Sequence, residues 1–176
     1  MEIIKVVTGL LDENCYVLRD NNNCLIVDPG DDYLDICDHI GEDKVLGILI
    51  THSHFDHIGA LRNFLNRKNM KIFKKSNIED GKEYEIGNFK FKTYTTPGHS
   101  SDSVSFYFDS DKALFVGDFI FKDSIGRCDL PTGSSVEMAA SIKKLKEIFK
   151  DDINIYPGHF DITTLKDELN NNPYLK

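Results

Sequence analysis

The chain has no tryptophan, five prolines and four cysteines in 176 residues, and each shortage excludes something. Cys15, Cys24, Cys37 and Cys128 stand apart with no C-x-x-C pair, which argues against a cysteine-rich structural zinc site. They read as reduced, mostly buried thiols of a cytoplasmic protein. No run approaches the ~20 apolar residues of a membrane span, and MEIIKVVTGL lacks the basic-then-apolar order of a signal peptide. Positive charge is short as well: 21 Lys and Arg against 29 Asp and Glu leave a net charge of -8. A nucleic-acid binder or a protein docked on an anionic membrane would need the opposite balance. Basic residues gather only at 67–75 and 142–150, and both stretches read as solvated faces.

What is present suits one soluble globular domain spanning 1–176, large enough to bury a core without disulfides. Residues 2–7, 15–19 and 24–27 read as strands separated by Asn/Asp/Gly turns. A helix is expected over 32–40 with Leu34, Ile36, Cys37 and Ile40 inward, followed by a continuous apolar strand at 45–50. Helical spacing covers 58–68, with Leu61, Phe64 and Leu65 on one side. A meander of strands occupies 70–73, 83–86, 89–95, 103–108 and 113–116. An irregular loop is expected over 123–133. The clearest helix runs from Ser135 to Lys150, capped by Ser134 or Ser135, with Met138, Ile142, Leu145 and Phe149 inward. A strand at 153–156 and a short helix at 162–170 close the chain. Helices interleaved with two groups of strands predict a layered α/β sandwich.

The stretch 51-THSHFDHIGA-60 holds three of the six histidines of the chain, beside an aspartate and immediately after an apolar strand. In an extended backbone, side chains at i and i+2 point the same way, so His52 and His54 can face one ion together. Asp56 and His57 turn with the entry into the next helix and can serve another. Three more strand ends deliver a metal-capable side chain through a Gly- or Pro-marked turn: His99 in TPGH, Asp118 after Gly117, and His159 in PGH. Five imidazoles and two carboxylates exceed the four ligands of one tetrahedral zinc. They suit two adjacent divalent ions, with Zn²⁺ first and Fe²⁺ or Mn²⁺ also compatible with these donors. A lone histidine after a strand is more often a surface or capping residue, and His39 stays in that class.

These residues resemble those of the metallo-β-lactamase-fold hydrolases, in particular the glyoxalase II-like (hydroxyacylglutathione hydrolase-like) branch. The matching pieces are 13-ENCYVL-18, 26-IVDPG-30, 51-THSHFDHIGA-60, 96-TPGHSSDSVSF-106, 115-FVGDFIF-121, 124-SIGRCDLPTG-133, 156-YPGH-159 and 171-NNPYL-175, in the family's order. The resemblance implies a four-layer αβ/βα sandwich with the site at one edge of its sheets. It implies that His52, His54 and His99 bind a first metal, that Asp56, His57 and His159 bind a second, and that Asp118 bridges them. Asp28 matches a position that braces the metal loops from behind. The implied reaction is hydrolysis of a small-molecule acyl thioester such as S-lactoylglutathione by a hydroxide shared between the metals, with Asp56 orienting it. Arg127 is expected to reach the substrate, a salt bridge to Asp123 or Asp129 being its alternative.

Three departures stand out. Full-length glyoxalase II enzymes continue into a helical domain that helps to hold glutathione, whereas 17 residues follow His159 here. Many relatives carry Gly directly after the last histidine, and a Gly is common at the place of Asp102; here the first is Phe160. The rival readings are a mononuclear iron dioxygenase acting on a persulfide, a lactone or other ester hydrolase, and a metal-binding protein without catalysis.

Overall fold

Strands that are apolar on both faces must be covered twice, and this chain solves the problem with two sheets packed together and helices on each outer surface. The computed structural model describes residues 1–66 and 70–176. The first sheet joins β1 (Glu2–Thr8), β2 (Glu13–Asp20), β3 (Asn23–Val27), β4 (Lys44–Leu49) and β5 (Lys71–Phe73) in that order. β1, β2 and β3 are antiparallel neighbours, while β3–β4 and β4–β5 are parallel. The second half supplies β6 (Glu83–Ile86), β7 (Phe89–Thr95), β8 (Val104–Phe108) and β9 (Ala113–Gly117). A two-residue ribbon follows, β10 (Ile120–Phe121) and β11 (Ser124–Ile125), then β12 (Asn154–Pro157) and β13 (Thr163–Thr164). The second sheet has the order β13-β12-β9-β8-β7-β6, in which only β12–β9 is parallel.

Three apolar clusters define four layers. Tyr16, Leu18, Leu25 and Leu49 of the first sheet meet Phe91, Phe106, Phe108 and Phe115 of the second in the central core. Val17, Ile26 and Ile48 face outward onto Ile36 and Ile40 of α1 (Tyr33–Ile40) and onto Phe64. Leu114, Val116 and Ile155 face outward from the second sheet onto Met138, Ile142 and Leu145 of α4 and Leu165 of α5. Those helices span Ser135–Ile148 and Leu165–Asn171, with α2 (Phe55–Ile58) and α3 (Leu61–Phe64) earlier in the chain. The αβ/βα order expected from the sequence is the one observed. Ser134 caps α4, its hydroxyl accepting from the Glu137 amide at 3.2 Å.

Three local expectations change. Leu34 is 76% exposed; at 100° per residue it lies on the far side of α1 from Ile36. The helix expected over 58–68 is two four-residue pieces, and Leu65 is exposed. The break sits at Gly59–Ala60, where the Ala60 amide turns out to the Pro29 and Gly30 carbonyls. Positions 67–69 of that expected helix, and of the basic stretch 67–75, lie outside the described residues. Within the irregular loop expected at 123–133, Ser124–Ile125 pairs as the β10–β11 ribbon.

Parallel pairing fixes where function sits. β9 and β12 share a direction, two antiparallel steps through β8 return β7 to it, and β4 ends at the same edge, where the Val104 amide at the start of β8 donates to the Thr51 carbonyl at 2.8 Å. The turns after β4, β7, β9 and β12 therefore open at one edge of the sandwich, where ligand sites of such sheets gather.

Candidate metal centre

The segment after β4 is extended through His54, whose ψ is 148°, and α2 begins at Phe55. His52 and His54 thus point together, while Asp56 and His57 fall in the first helical turn. The Nε2 of His52 lies 3.1 Å from Nδ1 of His54, which lies 2.9 Å from Nε2 of His99. These three form one compact donor group, and Asp56, His57 and His159 form another. In the second, His159 Nε2 is 3.3 Å and His57 Nε2 is 3.8 Å from Asp56 Oδ2. Asp118 stands between them. Its Oδ2 is 3.4 Å from His99 Nε2, and its Oδ1 is 3.3 Å from His57 Nε2 and 3.7 Å from His159 Nε2. One carboxylate therefore presents one oxygen to each group.

Hydrogen bonds behind the rings fix which nitrogen faces inward. His57 Nδ1 donates to Asp28 Oδ2 at 3.0 Å, and His99 Nδ1 donates to the Arg127 carbonyl at 2.8 Å. The Thr51 hydroxyl donates to Asp28 Oδ2, so it accepts from His52 Nδ1 at 3.1 Å. The Nε2 atoms of all three rings are thereby turned toward the centre. His57 Nε2 and Asp118 Oδ1 are buried without a hydrogen-bond partner. Buried polar atoms are rarely orphaned. Two orphans, one nitrogen and one oxygen aimed at each other's neighbourhood, fit a divalent cation.

Charge follows the same geometry. Burial and the neighbouring imidazoles hold His52 well below the ordinary histidine range. Burial opposes the charge on His57, yet Asp118 and Asp28 outweigh it and hold that ring well above its usual value. Burial likewise works to raise Asp56 and Asp118, but the facing imidazoles, His159 and His57 for Asp56 and His57 for Asp118, leave both carboxylates below their usual range.

Close packing holds these loops. A Cβ on Gly158 would come within 2.5 Å of Asp118 Oδ1 and 2.6 Å of His57. A Cβ on Gly30 would come within 2.1 Å of the Asp56 carbonyl, so the Asp28–Gly30 turn can press against α2 only as glycine. Asp102 links two ligand loops, accepting from Ser53 Oγ and from Ser100 Oγ at 2.8 Å. The Gly common at that place would remove this staple. Arg127 makes the bidentate salt bridge to Asp129, both bonds at 2.7 Å, and holds that carboxyl down to about 2. Its exposed side chain also lines the cavity above the metal donors. His39 is a helix residue 2.9 Å from the Asp35 carbonyl, away from the centre.

Two residues had no assigned role from sequence. Glu13 is fully buried with Oε1 3.7 Å from His57 Nδ1, and burial pushes its carboxyl well above the usual range. Asn14 crosses between the sheets: its amide donates to the Gly158 carbonyl at 2.7 Å and its side chain to Pro157 and Phe160. The signal available for both was polarity at the start of an otherwise apolar strand, ENCYVL.

A layered αβ/βα fold with two histidine–aspartate groups at its open edge defines a class of metal-binding proteins. The family model of the metallo-beta-lactamase superfamily matches residues 8–85 and 71–159, and the chain belongs to that superfamily. It is 29% identical to the hydroxyacylglutathione hydrolase GloC of Haemophilus influenzae, over 99% of this chain and 97% of that one. Among solved structures it is similar to BLEG-1 B3 metallo-beta-lactamase, with 30% identity, a TM-score of 0.90 and coverage of 99% and 100%. It is also similar to TTHA1623 in a di-iron-bound form, with 28% identity, a TM-score of 0.84 and coverage of 98% and 100%. These relationships are distant. No helix among the described residues is long and apolar enough to cross a membrane.

Proposed function

We propose that the chain is a dinuclear metal-dependent hydrolase of small-molecule acyl thioesters, such as S-acylglutathione, with Zn²⁺ or Fe²⁺ as the ions. The observation that carries this reading is Asp118, whose two oxygens face separate donor groups on the floor of a cavity of about 830 Å³. His52, His54, His99 and Asp118 Oδ2 would hold one ion; Asp56, His57, His159 and Asp118 Oδ1 would hold the other. When bound, such ions polarise a carbonyl and acidify water to near neutrality.

The remaining work falls to the chain itself. Asp56 is half-buried, faces the cavity, and is kept ionised by His159 and His57 against the effect of burial. It can therefore orient water and accept its proton. Among the described residues no Lys, Tyr or Cys lines the cavity. A leaving group that demands a strong neutral-pH acid is poorly served, whereas a thiolate departs without one. The name of the Haemophilus relative supports the same reading. That relative aligns with this chain over 97% of its own length.

Freshly purified protein is expected to carry close to two divalent ions per chain by mass spectrometry, to hydrolyse acyl thioesters, and to lose that activity on chelation. One iron per chain with oxygen uptake on a persulfide and no thioester cleavage would replace this reading by the dioxygenase one.

Arg127 offers a planar fork at the cavity wall that is already shared with Asp129. Arg127→Ala should raise KM for carboxylate-bearing thioesters by roughly three- to tenfold with kcat little changed, the mark of uniform binding. Unchanged constants on every active substrate would confine Arg127 to its salt bridge.

A further inference from the structure

The turn that delivers His159 ends on Phe160 at φ 67, in the left-handed region. A side chain there is disfavoured by the clash of Cβ with the following carbonyl, and persistent strain of this kind concentrates at functional sites. Burial does not offset the cost, because Phe160 is 66% exposed. Phe55 and Leu11 are 75% and 52% exposed, and all three line the cavity that contains the metal donors. Exposed apolar groups gathered around one polar site mark a binding surface. The collar is also held in place. The Phe160 ring packs edge-on against Phe121 with centroids 5.3 Å apart, and its carbonyl accepts from Asn14 Nδ2 at 2.9 Å.

The cavity has two unlike walls. Phe55 and Phe160 adjoin Asp56 and His159, whereas Ser100, Asp102 and Arg127 lie on the side of His99. A charged thiol carrier such as glutathione finds its partners on the second wall. Phe55, Phe160 and Leu11 offer a hydrocarbon three exposed apolar side chains, a surface that a small hydroxy acid cannot cover. Resting on the thioester reading, we propose that Phe160, Phe55 and Leu11 bind the acyl group, and that the substrates are thioesters of medium-chain aliphatic or aromatic acids rather than of small hydroxy acids such as lactate.

The test uses the metal-loaded full chain and S-acylglutathiones with acetyl, lactoyl, butanoyl, hexanoyl, octanoyl and benzoyl groups. Each methylene taken from water onto a half-open apolar wall is worth about a twofold gain in binding. From acetyl to hexanoyl, kcat/KM should therefore rise at least about tenfold, mainly through KM, with lactoyl near the acetyl value. Phe160→Gly relieves the backbone strain, so it should fold and raise Tm by roughly 2–4 °C. It should also cut the hexanoyl-to-acetyl ratio at least about threefold, and Phe55→Ala should do the same. A flat chain-length profile in the wild type, or a ratio that survives both substitutions, overturns the collar and leaves the hydrolase reading standing. Titration calorimetry with acetate, lactate, hexanoate and octanoate separates the two ideas. Affinity that climbs with chain length and falls in Phe160→Gly, with no thioester cleaved, supports the collar and rejects the thioesterase. Affinity that is equal for all four acids overturns the collar.

Discussion

Asp118→Ala should lower kcat/KM for thioester hydrolysis by on the order of 10³ or more and should release metal, with the circular dichroism spectrum of the chain unchanged. The magnitude follows from position. Asp118 presents one carboxylate oxygen to each donor group, Oδ2 to His99 and Oδ1 to His57 and His159. Its loss removes a ligand from each group and leaves three imidazoles without the anion that offsets their crowding. Asp118→Asn is the informative companion, since it keeps the volume but replaces one oxygen by an N–H that repels a cation. Whichever oxygen the amide nitrogen replaces, one donor group loses its anionic partner, and metal content should fall toward one ion per chain. Near-wild-type turnover in Asp118→Ala, measured with the metal content of the same sample, would show that the two groups do not act as one centre.

Asp28→Ala should be costly for a different reason. Asp28 touches neither donor group's inner face; it stands behind them, buried, at φ 47. It accepts from the Thr51 amide at 2.7 Å, from the Thr51 hydroxyl, and from His57 Nδ1 at 3.0 Å. Truncation leaves three buried donors unpaired, a loss of about 3 kcal/mol or more. At roughly 2–4 °C per kcal/mol for a chain of this size, Tm should fall by about 6–12 °C. Metal affinity and kcat should drop about 10- to 100-fold as His52 and His57 lose the bonds that set their orientation. Asp28→Asn should recover part of the stability and little of the activity, since it keeps an acceptor but loses the charge that holds His57. A variant with wild-type Tm and wild-type metal affinity would leave Asp28 an ordinary turn aspartate before Pro29-Gly30.

The contrast between these aspartates shows what was legible in the residues alone. The spacing H-x-H-x-D-H on an extended-to-helical backbone announces two donor pairs without any knowledge of tertiary structure, because the 2-residue period of a strand and the turn of a helix are local geometry. His99, Asp118 and His159 could be gathered with them because each follows an apolar strand through a Gly- or Pro-marked turn, and strand ends share edges. A layered α/β sandwich follows from helices interleaved with two strand groups, whereas its four-layer αβ/βα order is what the family resemblance implies. The periodicity of α4 placed Met138, Ile142, Leu145 and Phe149 inward, where all four are buried. What could not be read depends on contacts between distant segments. Leu34 looks as apolar as Ile36 but has no partner layer on its face of α1. The helix after His57 breaks because the Ala60 amide prefers the Pro29 and Gly30 carbonyls, some thirty positions earlier. Glu13 and Asn14 reveal their neighbours only when the two sheets close over them. The left-handed backbone of Phe160 is legible only as a departure, a bulky residue where many relatives have glycine.

The donors are divided between the halves of the sandwich. His52, His54, Asp56 and His57 follow the first sheet's β4, whereas His99, Asp118 and His159 follow strands of the second. Neither half alone supplies all seven donors, so an ion captured at this seam would work as a clasp that tightens only when both halves are docked. Its affinity is thereby added to cohesion: occupancy at a thousandfold excess over Kd contributes about 4 kcal/mol against separation. A cell that starves the protein of metal would loosen the body of the molecule together with its chemistry.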